Sequence, residues 1–247
     1  MNFFSLFKRN LIYKFKKKIS IDEDTDEKKS LDDLFYFYGS DKANIFRLSN
    51  EKGHGYSLFY EEQLQHFKKK ELKVLEIGSY AGASAAAFAK YFPNSDIFCL
   101  DINISNFKYV SKNIEVFGVD VKNEEKVRSI LEDIFKIKGF KGFDLIIDDG
   151  SHLLSDIIYS LNFFFKYLNY KGIYVIEDYK FPNYFKRNKD CDELLVDQIL
   201  VNLKEKKHFL SKVINQDNQR YLFKSIKSID VFKGNLDESN ICFIKKN

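Results

Sequence analysis

From residue 72 onward, short apolar runs of strand type alternate with longer segments of helical period, the pattern of a parallel sheet wrapped by helices. Strands are expected at 72–78 (LKVLEIG), 96–102 (DIFCLDI), 114–120 (IEVFGVD), 143–150 (FDLIIDDG) and 172–179 (GIYVIEDY). A helical stretch over 192–205 follows, and then two apolar runs, KSIKSIDVFKG and SNICFIKKN, joined by a short polar turn. These two read as a closing antiparallel hairpin. The expected fold is therefore α/β and Rossmann-like, with a mostly parallel seven-stranded sheet. Four of the first five strands run into an acid at the carboxyl end, where ligands of open α/β sheets bind.

Residues 1–30 stand apart from this pattern. Positions 1–18 (MNFFSLFKRNLIYKFKKK) interleave aromatic and aliphatic residues with lysines, as in a short amphipathic helix, and 19–30 read as a charged linker. The helix is expected to pack on its own domain or on a partner subunit, with peripheral membrane contact as the alternative. Charge every few residues excludes a transmembrane span or a signal-peptide core. Residues 31–247 are expected to form one domain. Hydrophobic residues at 45% and charged residues at 31% suit a water-soluble globular chain. The net charge of +4 is spread along the sequence, so no nucleic acid is expected as a partner. Cys99, Cys191 and Cys242 lack a ligand-like spacing and read as packing residues in a reducing, cytoplasmic setting.

Residues 74–92 (VLEIGSYAGASAAAFAKYF) give a buried strand, a turn containing Gly78 and Gly82, and an Ala-rich helix. That order forms a nucleotide-type pocket, in which glycine lets backbone approach a ligand and the helix directs free amides at it. Ser79 stands where the dinucleotide fingerprint needs its second glycine, so a pyrophosphate is disfavoured. S-adenosylmethionine, which has no phosphate, tolerates the looser turn. Asp101, 23 residues after Gly78, is spaced to accept from ribose hydroxyls. Asp120 is expected to meet the adenine, and Glu76 to balance the ammonium of the methionine part.

Two further strand ends carry the chemistry. DLIIDDGSH (144–152) closes with two carboxylates, a turn glycine, a serine and a histidine, and IYVIEDY (173–179) closes with a second acid pair. Oxygen ligands with open positions suit a hard divalent cation such as Mg2+. Methyl transfer to a hydroxyl requires removal of a proton, which an imidazole accepts and a cation assists.

The segment YGSDKANIFRLSNEKGHGYSLFYEE (38–62), with LEIGSYAGAS, LIIDDGSH and YVIEDY, resembles the metal-dependent sugar O-methyltransferases of the mycinamicin macrolide type, within the class I methyltransferases. The likeness covers roughly 38–180 and the terminal hairpin. It implies metal ligands at Asp149, Glu177 and Asp178, His152 as general base, and Asp148 on the cofactor side. It also implies that the early motif, Tyr38, Gly39, Ser40, Asp41, Lys42, His54, Gly55, Tyr56 and Tyr60, folds over the cofactor and shapes the acceptor pocket. Asp41 and Lys42 are placed with the cofactor, and His54, Tyr56, Tyr60 and Tyr179 with the substrate. The chain departs from the pattern in its short length and in the segment KFPNYFKRNKD (180–190), expected to lid the acceptor site.

The resulting expectation is an O-methyltransferase for a sugar hydroxyl, on a nucleotide-activated sugar such as a heptose, serving a bacterial capsule or lipooligosaccharide. A homo-oligomer is in keeping with the resemblance. Alternatives are a phosphoramidate or small phenol as acceptor, or a protein that binds S-adenosylmethionine without turnover.

Overall fold

The seven strands anticipated from the alternation are present, along with nine helices of four or more residues among the described residues; strands and helices are numbered separately below. The computed structural model describes residues 3–23 and 30–247. Part of the expected linker, 24–29, lies outside them. The chain divides into two compact units, residues 1–140 and 141–247.

In the first unit, helix α1 (Phe3–Phe15) is followed by α2 (Leu31–Tyr38), α3 (Ser57–Leu64), strand β1 (Lys73–Ile77), α4 (Ala83–Tyr91), β2 (Asp96–Asp101), β3 (Ile114–Gly118) and α5 (Glu124–Lys138). Strand β2 pairs in parallel with β1 on one side and β3 on the other. The local chemistry explains the helix ends. Ser30 and Asp33 form a reciprocal capping box at the start of α2, and Gly39, at φ +79°, ends it. Asn123 caps α5, whose first turn carries Glu124 and Glu125 and whose last carries Lys136 and Lys138, matching the helix dipole.

Residues 3–23 are docked on this unit. Arg9 donates to the carbonyl of Ile102 (3.2 Å), Lys16 to those of Ser105 and Asn106 (3.1 Å each). Ile19 and Ser20 add a two-residue parallel strand beside Tyr109 and Val110, and Ile21 is buried. The segment expected as an extension and linker is in this part a structured edge of the unit.

In the second unit, β4 (Phe143–Asp148), α6 (Leu154–Phe164), β5 (Leu168–Ile176), α7 (Phe181–Tyr184), α8 (Val196–Glu205), α9 (Gln216–Ser225), β6 (Ile226–Lys233) and β7 (Asn240–Lys246) follow in order. Strand β5 is parallel to β4 and antiparallel to β7, which pairs antiparallel with β6. The closing hairpin is thus present as expected. Most strand ends fall one or two residues short of the sequence reading, with β3 stopping at Gly118 and β4 at Asp148; the helix expected over 192–205 starts at Val196, and β5 differs most. Strand β5 starts at Leu168 rather than 172, through an irregular register opposite Phe143 and Leu145, and it stops at Ile176, so that residues 177–179 are a turn. Helix α9 is additional to the expected elements; its sequence, QDNQRYLFKS, is too polar to show a long apolar period.

Helix α4 explains the run of alanines. Ala85, Ala86 and Ala87 are fully buried, so only a small side chain is accommodated there. At its start Gly82 has φ +77°, and a Cβ on it would lie 2.5 Å from the ring of Phe107, itself fully buried. Gly82 is required by the chain's own packing. Gly82→Ala is expected to destabilise the protein by about 2–4 kcal/mol, combining left-handed strain with the ring clash. Denaturant unfolding measures this, and Phe107→Leu in the same background should recover part of the loss; a neutral Gly82→Ala would contradict the assignment.

Candidate active site

The turn after β1 is built from alternating left-handed residues: Gly78 at φ +84°, Tyr80 at +42° and Gly82 at +77°. Gly78 N–H donates to the carbonyl of Leu100 (2.9 Å), and Gly82 N–H to that of the buried Ser79 (2.7 Å). The strained non-glycine member is held from outside, since Tyr80 N–H donates to Asp101 Oδ2 at 2.7 Å. Asp101 Oδ1 accepts from Asn103 N–H at 2.5 Å. Asp101, only 8% exposed, therefore fixes two loops, and each of its oxygens retains acceptor capacity. The ring of Tyr80 stands exposed above the turn. A tyrosine between two glycines carries no positional signal in the sequence.

Glu76 is fully buried, and the hydroxyl of Ser84 donates to its Oε1. Cys99 Sγ lies 4.0 Å from Oε2. Burial, reinforced by the charge of Glu76, pushes the Cys99 thiol well above its ordinary pKa. Asp120 lies two residues beyond β3, in a turn where its Oδ1 accepts from Lys122 N–H (3.0 Å) and its carbonyl from Asn123 N–H (2.8 Å).

The early motif closes on itself through backbone bonds. His54 N–H donates to the carbonyl of Asp41 (2.6 Å), Gly55 to Ala43 (3.0 Å) and Tyr56 to Lys42 (2.8 Å). His54 Nε2 is 4.0 Å from Asp41 Oδ2, and its ring lies 5.2 Å from that of Tyr56. Lys42 and Tyr56 are buried. Tyr60 is fully enclosed between Phe35 and Phe88, with ring centroids at 6.2 and 5.2 Å. In this conformation it is a core residue of the first unit.

In the second unit, the parallel register pairs Asp148 with Ile176, so that Asp149 and the pair Glu177–Asp178 emerge from adjacent strand ends. Ligand atoms of Asp149, His152 and Asp178 all lie within 4.8 Å of one another. His152 Nε2 is 3.6 Å from Asp149 Oδ1. Two of these three residues have left-handed backbone, His152 at φ +54° and Asp178 at +51°, a conformation that costs a non-glycine residue about 1–2 kcal/mol. Strain of this kind concentrates where side chains are aimed for a task. Two carboxylates and an imidazole fit a divalent cation with coordination positions to spare. The group includes His152 where Glu177 was expected; Glu177 is buried and is not among the three.

Asp148 sits directly behind this group. Burial first, and then the neighbouring charge of Asp149, raise its pKa from 3.8 to about 8, and Tyr174 Oη donates to its Oδ2 at 3.4 Å. Tyr179, which follows Asp178, is buried and lines a pocket of about 360 Å³ with Lys180, Asp197, Leu200, Lys204 and Ile229. The 180–190 segment packs against the loop carrying His152. The Phe181 ring lies 4.8 Å from the imidazole, Asn188 Nδ2 donates to the His152 carbonyl (2.9 Å), and Asp190 accepts from Ser155 N–H (2.9 Å) and Oγ (2.6 Å).

No family model matches the chain. Among solved structures it is similar to the MycE methyltransferase of the mycinamycin biosynthetic pathway in complex with Mg, SAH and mycinamycin VI, with a TM-score of 0.65 and 21% identity over 89% of this chain and 55% of that one. The fold is that of the class I methyltransferases. By sequence, the chain is 30% identical over 161 residues to the L-olivosyl-oleandolide 3-O-methyltransferase of Streptomyces antibioticus. It is 26% identical over 148 residues to the 8-demethyl-8-alpha-L-rhamnosyl tetracenomycin-C 2'-O-methyltransferase of Streptomyces olivaceus. These matches cover 62% and 57% of this chain but only 38% and 35% of the two relatives.

Within this methyltransferase fold, Asp148 generates a pH dependence. Its proton is held more tightly in the folded chain than in the unfolded one, so folding takes up a proton between about pH 4 and pH 8. The stabilisation is complete below the ordinary carboxylate range and is lost as pH rises through about 8. In chelator, stability is expected to fall from about pH 5 to pH 8.5, and Asp148→Asn to flatten that slope. Chemical unfolding across the pH series decides it; an unchanged slope in the variant would contradict the assignment.

Proposed function

We propose that the chain is an S-adenosylmethionine-dependent O-methyltransferase whose acceptor is the hydroxyl of a sugar. The observation that carries this reading is the grouping of Asp149, His152 and Asp178 at the ends of two parallel strands, in a fold that the methyltransferases share.

In this reading the first unit binds the methyl donor. The Gly78–Gly82 turn, with Ser79, cradles it, Asp101 accepts from the ribose hydroxyls, Asp120 lies on the adenine side, and Glu76 supplies negative charge towards the methionine end. Asp41 and Lys42 belong to the same donor side. The second unit activates the acceptor. Asp149 and Asp178 hold a divalent cation, Mg2+ by their hard oxygen chemistry, which when bound lowers the pKa of the acceptor hydroxyl and orients it. His152 takes the hydroxyl proton as the oxygen forms its bond to the methyl carbon and the carbon–sulfur bond breaks, leaving S-adenosylhomocysteine. Asp148 lies on the cofactor side, with its carboxyl pushed up to about 8 by burial and by the charge of Asp149 in the metal-free chain.

The sugar is supported by the two Streptomyces relatives, whose names both specify a sugar hydroxyl, and by chemistry, since vicinal hydroxyls chelate a cation. Nucleotide-activated sugars for a surface polysaccharide are the first acceptors to test, because Lys180, Lys186, Arg187 and Lys189 lie on the segment packed against the His152 loop and suit a diphosphate. Tyr179 remains on the acceptor side of this proposal. A second reading follows from the cluster itself: with Nε2 3.6 Å from Asp149, His152 acts as a cation ligand and not as the base.

A single set of variants separates these readings. Asp101→Ala is expected to weaken cofactor affinity at least roughly tenfold. His152→Ala should keep cofactor and cation affinity and slow methyl transfer by about 10²–10⁴-fold. Methyl transfer to a panel of sugar nucleotides, with Mg2+ or Mn2+ affinity measured in parallel, reads both. A His152→Ala protein that loses cation affinity assigns the ligand role, and one with full rate removes His152 from the chemistry.

A further inference from the structure

Helix α1 has two faces of opposite character. One is committed to the first unit through Arg9 and Lys16, through Tyr13, which meets the ring of Phe107 edge-on at 6.4 Å, and through Asn10, which lies against Gly118. The opposite face carries Phe4, Phe7, Leu11 and Phe15, at the three- and four-residue spacing that aligns side chains along a helix. They are 75%, 58%, 45% and 83% exposed, and Ile12 beside them is 45% exposed. Three solvated phenylalanines on one stripe are a surface that water disfavours, and such patches mark interaction sites.

The charge around the stripe identifies what it fits. Between Phe3 and Lys18 the sequence has six basic residues and no acid. Lys8, Lys14 and Lys17 are exposed. We propose that this face of α1 is a peripheral docking surface for an anionic lipid bilayer, on which the helix lies flat. The phenylalanines enter the boundary between headgroups and acyl chains, and the lysines meet the lipid phosphates. A bilayer surface supplies both complements at once, apolar depth and negative charge. A second copy of the chain is a poorer match, because pairing two such stripes sets lysine rows against each other with no acid in the segment to answer them. At 13 residues α1 is too short to cross a membrane, and no helix among the described residues is long and apolar enough to do so.

The test uses the whole chain and sedimentation with vesicles of phosphatidylcholine containing about 30% phosphatidylglycerol, against phosphatidylcholine alone. Binding is expected to the anionic vesicles, to weaken towards about 0.5 M salt, and to be slight on the neutral ones. The triple substitution Phe4→Ser, Phe7→Ser, Phe15→Ser should raise the half-saturating lipid concentration roughly tenfold or more. It should leave the melting temperature unchanged, since these side chains already face solvent. Lys8→Gln, Lys14→Gln, Lys17→Gln should weaken binding to the anionic vesicles alone. No binding to anionic vesicles, or equal binding by the serine variant, would overturn the proposal. So would a wild-type dimer in sedimentation velocity that the serine variant dissociates, which would give the stripe to a second copy.

Discussion

Crowding of like charge governs the second unit. Strands β4 and β5 run in parallel, in register from Leu145 onward, and the sequence places an acid pair at the carboxyl end of each, so four carboxylates, Asp148, Asp149, Glu177 and Asp178, fall at adjacent strand ends. Four bare charges so close would repel strongly. The chain answers in three ways. Asp148 is buried and keeps its proton to about pH 8. Glu177 is buried and lies outside the group of three. Asp149 and Asp178 are left together with His152, an arrangement a divalent cation would satisfy. Left-handed backbone at His152 and Asp178 is the conformational cost of aiming both side chains at one point.

The first unit meets a different constraint, that of a sharp turn after β1 set against a tight core. Its turn alternates glycine with a strained tyrosine, and Asp101 holds that tyrosine's amide. The same carboxylate is the one proposed above to meet the ribose. A structural role and a proposed binding role fall on one side chain, so its substitution is expected to affect more than contact with the donor.

Much of this was legible in the sequence because parallel strands buried on both faces read as continuous apolar runs. The five runs and the terminal hairpin fall at their expected places, and the acids at strand ends follow from the same reading. What was not legible depends on direction. Nothing in YVIEDY tells which of Glu177 and Asp178, both buried, joins Asp149 and His152. The close approach of Phe107 to Gly82, the enclosure of Tyr60 by Phe35 and Phe88, and the bond from Asn188 to the His152 carbonyl join residues 25 to 36 positions apart. Periodicity carries no information about such pairs. The docking of residues 3–23 was hidden for a similar reason: the polar atoms that receive Arg9 and Lys16 are backbone carbonyls, which leave no trace in composition.

The central proposal is that the chain binds S-adenosylmethionine as its methyl donor. Calorimetric titration of the purified chain with S-adenosylmethionine and S-adenosylhomocysteine, with and without Mg2+, tests it most directly. The account predicts saturable binding of both in the micromolar range, about −8 kcal/mol; absence of binding under every condition would contradict it.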